Sequence, residues 1–375
     1  VIGLRIIFQS PGPGPFPDYR NENLYGIETQ INGFARELAQ QGYEIDIIRP
    51  WFRSNVKIER VDGINIINVA RPPLPHLPHY MFLHELIYSK NARDTAKKRE
   101  PNVIVLPDIT SLFFFADLIV PKIYVTHNPQ SDMLAGSYLR RFFRLKLERQ
   151  SFAKCNVIVT LNSATQRYFQ LQGYNVVLIP NGVNEREFQP NFDDSYILNS
   201  GRQLPHKHLD LLIKAYALLP TKLREEYVLK LVGDGSEHEY LRRLSLHLGI
   251  EDRVQFIPRL AKNEYIDTMS KCSTFVLPTS LEGFGTVTIE AMACGKPVIV
   301  SDIAAPRDIV SPCYDGFLFK NQNVDDLISH LKLCLSDIAL RKKIGCNARK
   351  TIEEKYSFRK LAQKYASLFD QLAQK

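Results

Sequence analysis

The sequence predicts an α/β chain of two Rossmann-like halves, and three observations carry that reading. Apolar runs of strand length alternate with amphipathic stretches of helical spacing almost throughout, the pattern of parallel sheets crossed by helices. The series restarts once, near residue 196, after an Asn-, Pro- and acid-containing stretch over 181–194 that suits a linker. A chain of 375 residues holds about two domains of roughly 100–200 residues.

Taken in order, the first half opens with a strand over 5–9 and a helix over 26–41, in which Ile27, Ile31, Phe34 and Leu38 share one face and Gly42 ends the run. Strands are expected at 44–48, 64–69, 102–106, 122–127, 157–161 and 176–180. The second half reads strand 196–200, helix 209–219, strand 228–232, helix 237–248, strand 254–257 and helix 262–271. Strand 274–278, helix 286–294 and strand 297–301 complete its regular part, and an amphipathic helix over 358–373 ends the chain. The expected domains are 1–180, 181–355 and a C-terminal helix, 356–375, returning to the first domain. Ligands of such sheets sit at the carboxyl ends of the strands, so two facing halves would enclose a deep cleft.

Composition excludes several classes. Hydrophobic residues make up 45% and charged residues 23%, which is ordinary globular usage rather than disordered or collagenous. The longest apolar stretch, 112–120, is broken by Asp117 and falls short of the ~20 residues of a membrane span. Residues 1–8 have no basic n-region and read as a strand, not a signal peptide. Six Cys without a CxxC pair suggest reduced thiols in a cytoplasmic protein. Most of the net charge of +8 falls in residues 1–180, which leaves nucleic acid, an anionic membrane surface or a phosphorylated substrate open.

The most informative segment runs from Ser280 through Glu282, Gly283, Phe284, Gly285, Thr286 and Val287 to Glu290 and Pro297. It follows a strand, and its glycines open a helix. Free N–H groups and the positive helix end then point at an anion near Gly285 to Val287. At ~1.5 Å per helical residue, Glu282 and Glu290 stand about a diphosphate apart, which suits one carboxylate on a sugar and one on a ribose. Taken alone, Glu282 could equally be a loop charge and Glu290 a helix-dipole partner.

This segment resembles the E-x7-E motif of retaining glycosyltransferases of the family 4 type, which have the GT-B fold of two Rossmann-like domains facing each other across a deep cleft. Four further stretches are similar to that family in the same order. These are Tyr124-Val125-Thr126-His127, Ser163 after the strand at 157–161, the run Val177 to Asn184 with Phe188 and Pro190, and Ser200-Gly201-Arg202 with Lys207 and Leu211 to Ala215. The resemblance implies that Arg202 and Lys207 bind the diphosphate, with the Gly283–Val287 backbone on its other side. It further implies that Glu290 holds the ribose, Glu282 a hydroxyl of the transferred sugar, and that His127 lies near that sugar. Fixed cations suit a departing diphosphate.

The sequence departs from the family pattern at three places. Before the first helix only Gly26 of a usual glycine pair is kept, and it is read as part of an acceptor-side loop. His208 stands where a glycine commonly follows the lysine, and Thr286-Val287 replaces commoner residues. No cofactor and no metal are expected. His76, His79 and His84 lack the ligand spacing of a zinc site, and no Walker A loop or GxSxG elbow is present.

The expected activity is metal-independent transfer of a hexose from a nucleotide sugar to a glycan or lipid-linked acceptor, as in polysaccharide biosynthesis. A sugar-nucleotide epimerase and a non-catalytic nucleotide-sugar-binding protein are the alternatives. No nucleic-acid motif appears. Two basic clusters, Lys90 to Arg99 and Arg140 to Arg149, fit either a solvated helix face or peripheral contact with an anionic membrane. The Pro-rich run 72–78 is read as an acceptor loop.

Overall fold

Strands buried on both faces have to be apolar along their length, and VIVL at 103–106, VIVT at 157–160 and VIVS at 298–301 are fully buried strands. The computed structural model describes residues 3–10, 26–51, 56–70, 78–127 (backbone only for 78–84) and 149–374. Two units divide the chain, Val1–Asn181 with Phe358–Lys375, and Gly182–Ser357.

The described residues of the first unit form eight strands: β1 (Arg5–Gln9), β2 (Glu44–Trp51), β3 (Lys57–Val61), β4 (Ile64–Ala70), β5 (Val103–Leu106), β6 (Lys122–Thr126), β7 (Val157–Thr160) and β8 (Val176–Leu178). They lie in the order β3-β4-β2-β1-β5-β6-β7-β8. All pairings are parallel except β3 with β4. β3 is a strand beyond those expected from the sequence, and it adds an antiparallel edge to an otherwise parallel sheet. The turn Asp62-Gly63 joins β3 to β4 with φ of 50° and 80°, and such two-residue turns need positive φ at both positions.

Helices α1 (Gly26–Gln40), α2 (Pro78–Arg99), α3 (Ile109–Phe114) and α4 (Ser163–Gln170) complete the crossovers described in this unit. Asp108 and Asn162 cap α3 and α4, accepting from the N–H of Ser111 and Thr165. The basic run on α2 is partly spent inside the unit. Arg99 donates to buried Asp46 on β2 at 2.8 Å, and Arg93 pairs with Asp94 and Asp117. Lys90, Lys97 and Lys98 are exposed. Residues 72–77, including His76, and the cluster Arg140, Arg141, Arg144 and Lys146 lie outside the described residues.

The second unit has the parallel order β11-β10-β9-β12-β13-β14, from β9 (Tyr196–Ser200), β10 (Val228–Val232), β11 (Val254–Ile257), β12 (Thr274–Leu277), β13 (Val298–Ser301) and β14 (Gly316–Phe319). Its helices are α5 (Leu209–Ala217), α6 (Thr221–Glu226), α7 (His238–His247), α8 (Lys262–Lys271), α9 (Thr286–Ala293), α10 (Ala304–Ile309), α11 (Val324–Ser336) and α12 (Ile338–Thr351). The regular part therefore continues beyond residue 301, where the sequence reading stopped. Leu327, Leu331, Cys334 and Ile344 of α11 and α12 join the same core as Ile197 and Leu212.

The last helix, α13 (Phe358–Ala373), carries a buried face of Phe358, Leu361, Tyr365, Phe369 and Leu372 at helical spacing. It packs on α1. Phe34 meets Phe358 edge-on at 5.2 Å and Tyr365 at 4.8 Å, and Tyr43 donates to Asp370 at 2.8 Å. Gly33 makes room for the Phe358 ring, since a Cβ there would lie 2.2 Å from it. Each buried aromatic of this kind contributes about 1.5–3 kcal/mol.

Candidate active site

In the second unit β9 and β12, the first and fourth strands in sequence, lie side by side. The strand order reverses at that pair, so a crevice opens at their carboxyl ends. The loops leaving them, 201–208 and 278–285, are bonded to each other. Ser280 N–H donates to the His206 carbonyl at 2.9 Å, and the Thr279 hydroxyl lies 3.0 Å from the same carbonyl. Lys207 Nζ meets Glu282 Oε2 at 2.6 Å, with both side chains about one-fifth exposed.

His208 takes the left-handed conformation that a glycine would adopt freely, at φ 47° and ψ 43°. Its ring nitrogen lies 2.8 Å from the Ser280 hydroxyl. The loop thus keeps the geometry of the glycine it lacks, at a conformational cost of about 1–2 kcal/mol, and the cross-loop contact offsets part of that cost.

Gly285, at φ 94°, turns the chain into α9. Phe284 is buried against Tyr356 with ring centroids 6.1 Å apart, which anchors the turn. Gly283, Thr286 and Val287 flank it at intermediate exposure. One turn into α9, Glu290 Oε2 accepts a 2.5 Å hydrogen bond from the Tyr265 hydroxyl on α8. Burial pushes the Glu290 carboxyl up to about 7, and the Tyr265 hydrogen bond opposes that shift.

A third loop, which the sequence reading did not single out, completes this end of the sheet. Gly233-Asp234-Gly235 follows β10 and runs against residues 201–203. A Cβ on Gly233 would lie 2.2 Å from the Gly201 carbonyl, and one on Gly235 2.3 Å from that of Gln203. Gln203, fully buried, donates Nε2 to the Gly233 carbonyl at 2.9 Å, and its N–H donates to the Asp234 carbonyl, also at 2.9 Å. Arg202 stands between these anchored residues with its side chain exposed. A G-x-G between strand and helix was the available signal.

Lys296, inside the quoted motif, faces away from this chemistry. It is buried and bonds Asp193 at 2.8 Å and the Asn191 carbonyl at 3.0 Å, and Arg341 takes the other Asp193 oxygen. These bonds hold Asn191 and Asp193 within the second unit.

The remaining sequence-predicted residues are in the first unit. His127 follows β6 and lines a pocket with Phe8, Val105, Val125 and Tyr365. Burial lowers its pKa to about 4, so its imidazole is neutral at ordinary pH. Gly26 is the exposed first residue of α1, and Ser163 opens α4. Among the described residues no three His, Cys, Asp or Glu side chains are grouped to hold a metal ion.

A family model described as "Glycosyl transferases group 1" matches residues 183–351, and one described as "Glycosyltransferase Family 4" matches residues 25–187. An uncharacterized glycosyltransferase of Haemophilus influenzae is 26% identical over 92% of this chain and 96% of that protein. The N,N'-diacetylbacillosaminyl-diphospho-undecaprenol alpha-1,3-N-acetylgalactosaminyltransferase of Campylobacter jejuni is 27% identical over 62% of this chain and 65% of that protein. Among solved structures, sucrose-phosphate synthase from Thermosynechococcus elongatus superposes with a TM-score of 0.84 at 22% identity, covering 98% of this chain and 99% of that one. Anabaena HepE in complex with UDP and glucose gives 0.76 at 19%, covering 98% and 100%. The chain belongs to the glycosyltransferases of the family 4 type, and its two parallel-sheet α/β units have the GT-B fold.

Proposed function

We propose that this glycosyltransferase is retaining and moves a hexose from a nucleoside diphosphate sugar to a glycan or lipid-linked acceptor without a metal ion. The observation that carries the reading is the Lys207–Glu282 pair, held by two cross-bonded loops at the switch point of the second sheet. Departure of a diphosphate builds negative charge, and preorganised cations and N–H groups are the strongest means of stabilising it. Lys207 and exposed Arg202 supply the cations, and the first turn of α9, with Gly283 and Gly285 before it, supplies N–H groups. Glu282 takes a hydroxyl of the transferred sugar and Glu290 the ribose. The resemblance gives His127 a role near the sugar, and its imidazole is neutral at ordinary pH. Since Lys207 and Glu282 are partners of each other, an incoming diphosphate shares or replaces this ion pair.

Two relatives support the substrate classes. HepE has been crystallised with UDP-glucose, and the Campylobacter relative is named for an acceptor on a diphospho-undecaprenol. A cytoplasmic protein at the inner face of an anionic membrane fits such an acceptor, and no helix among the described residues is long and apolar enough to cross a membrane. Exposed Lys90, Lys97 and Lys98 then contribute on the order of 1 kcal/mol each near the lipid.

The test is a thermal-shift panel of UDP-, GDP-, ADP- and dTDP-sugars. Turnover of the stabilising donor is then followed with and without acceptor and EDTA. Nucleoside diphosphate release only with acceptor present, undiminished by EDTA and with the anomeric configuration kept, is the expected result. Conversion of the donor without acceptor would make the protein an epimerase, and loss with EDTA restored by Mg²⁺ or Mn²⁺ would end metal independence.

A further inference from the structure

Tyr265, on α8, reaches the Glu290 carboxylate on α9, the helix that follows β12. Its hydroxyl donates to Glu290 Oε2 at 2.5 Å. Its ring is held edge-on by Phe188, with centroids 6.3 Å apart. Packing alone does not require that hydrogen bond between α8 and α9. A phenylalanine would fill the same space and would not place a phenol against a half-buried carboxylate, whose desolvation is costly. A carboxylate has about four acceptor positions over its two oxygens. Tyr265 occupies one of these on Oε2 and fixes the plane of the group.

We propose that Tyr265 is a positioning residue that orients the Glu290 carboxylate so that its remaining acceptor positions meet the two hydroxyls of the nucleotide ribose. This rests on the reading of Glu290 as the ribose ligand. Tyr265 acts through Glu290 and does not touch the nucleotide. Its removal therefore costs affinity only where a ribose diol is present to be recognised and Glu290 is present to recognise it.

The experiment uses the full chain and isothermal calorimetry. The tightest binder among UDP, GDP and ADP is compared with its 2′,3′-dideoxy analogue. Tyr265→Phe is expected to weaken the ribonucleotide by about fivefold to tenfold, the scale of a hydrogen bond to a charged group, and to leave the dideoxy analogue within about twofold. In a Glu290→Ala background the same substitution is expected to change neither. If Tyr265→Phe lowers the melting temperature, the dideoxy analogue keeps the test sharp, because a merely destabilised fold loses both nucleotides alike. If Glu290→Ala weakens both nucleotides equally, the ribose reading of Glu290 is wrong. If Glu290→Ala discriminates between them and Tyr265→Phe does not, the positioning role is wrong while the ribose reading stands.

Discussion

Both sheets place a first strand beside a later one, β1 beside β5 and β9 beside β12, but their carboxyl ends are furnished differently. At the end of the second sheet, loops from β9, β10 and β12 bond to one another through Gln203, Ser280 and the Lys207–Glu282 pair. At the end of the first, the described residues offer an apolar pocket with a neutral His127. Nearby, the Gln9 amide and the hydroxyls of Thr126 and Thr160 are buried and make no hydrogen bond. An unpaired buried polar group costs about 1–3 kcal/mol. The same topology therefore yields two unlike sites. Strand order provides the crevice, and the loops decide whether fixed charge fills it.

The contrast breaks most easily at its charged end. Lys207→Ala is expected to lower transfer by about 10²–10³-fold, the scale of losing one preorganised charge-stabilising group, with little change in melting temperature because the pair is partly exposed. Glu282→Gln should also lower turnover, without weakening nucleoside diphosphate binding, because it frees Lys207 for the phosphate. Initial rates and calorimetry on both variants check this. Near-native transfer by Lys207→Ala would leave the two sheet ends functionally alike.

The next largest effect is on stability. Gly233→Ala forces a Cβ toward the Gly201 carbonyl at φ 125°, whereas Gly201→Ala, at φ 152°, meets open space. Urea denaturation should show a loss of about 3 kcal/mol or more for the first and about 1 kcal/mol for the second. Equal losses would mean that the two loops are not held together as described.

These residues differ in how far the sequence exposes them. Glu282, Gly285 and Glu290 stand within one local run whose strand–loop–helix setting is readable from spacing, and α13 is readable from its apolar periodicity. Lys207 and Arg202 are recognisable through resemblance, but their surroundings are not. That Lys207 pairs with Glu282 depends on β9 lying beside β12, a contact between segments 75 residues apart. Tyr265 sits in an amphipathic helix like any other, and only tertiary packing brings it to Glu290. β3 was missed although Asp62-Gly63 announces its hairpin, because its exposed face, with Ile58 and Val61 in water, lacks the apolar run of a buried strand.

Titration sharpens the comparison further. Glu290, raised to about 7 by burial, is half protonated near neutrality. The ribose-dependent part of nucleotide affinity should therefore rise by about tenfold between pH 6 and pH 8 as the carboxylate ionises. The difference between ribonucleotide and dideoxynucleotide affinities isolates it from phosphate ionisation. In the unliganded protein the sign is opposite. A carboxyl raised in the folded state favours folding fully below its unfolded pKa of about 4.5, and that contribution is lost as pH rises through about 7. Glu290→Gln should flatten both dependences. His127, held near 4, is neutral across this window, so His127→Ala should lower transfer without changing the profile. A rise that persists in Glu290→Gln would assign the titration to another group.

The smallest effect tests how the second sheet's loops keep their shape. His208 at φ 47° pays for a conformation that costs glycine nothing, and its ring contact with Ser280 is the visible return. Replacing it by Ala or by Gly removes that contact in both cases, and only Ala keeps a Cβ in the left-handed region. Gly in turn has more unfolded-state freedom to lose, which reduces its advantage. His208→Gly should therefore be the more stable variant by up to about 1 kcal/mol, measured by urea denaturation of the two proteins side by side, with transfer activity also better preserved in Gly because Lys207 keeps its place. If the Ala variant is as stable and as active as the Gly variant, the chain at 208 has left the left-handed region. The grip on Lys207 then comes from Glu282 and the Ser280 backbone without help from the histidine.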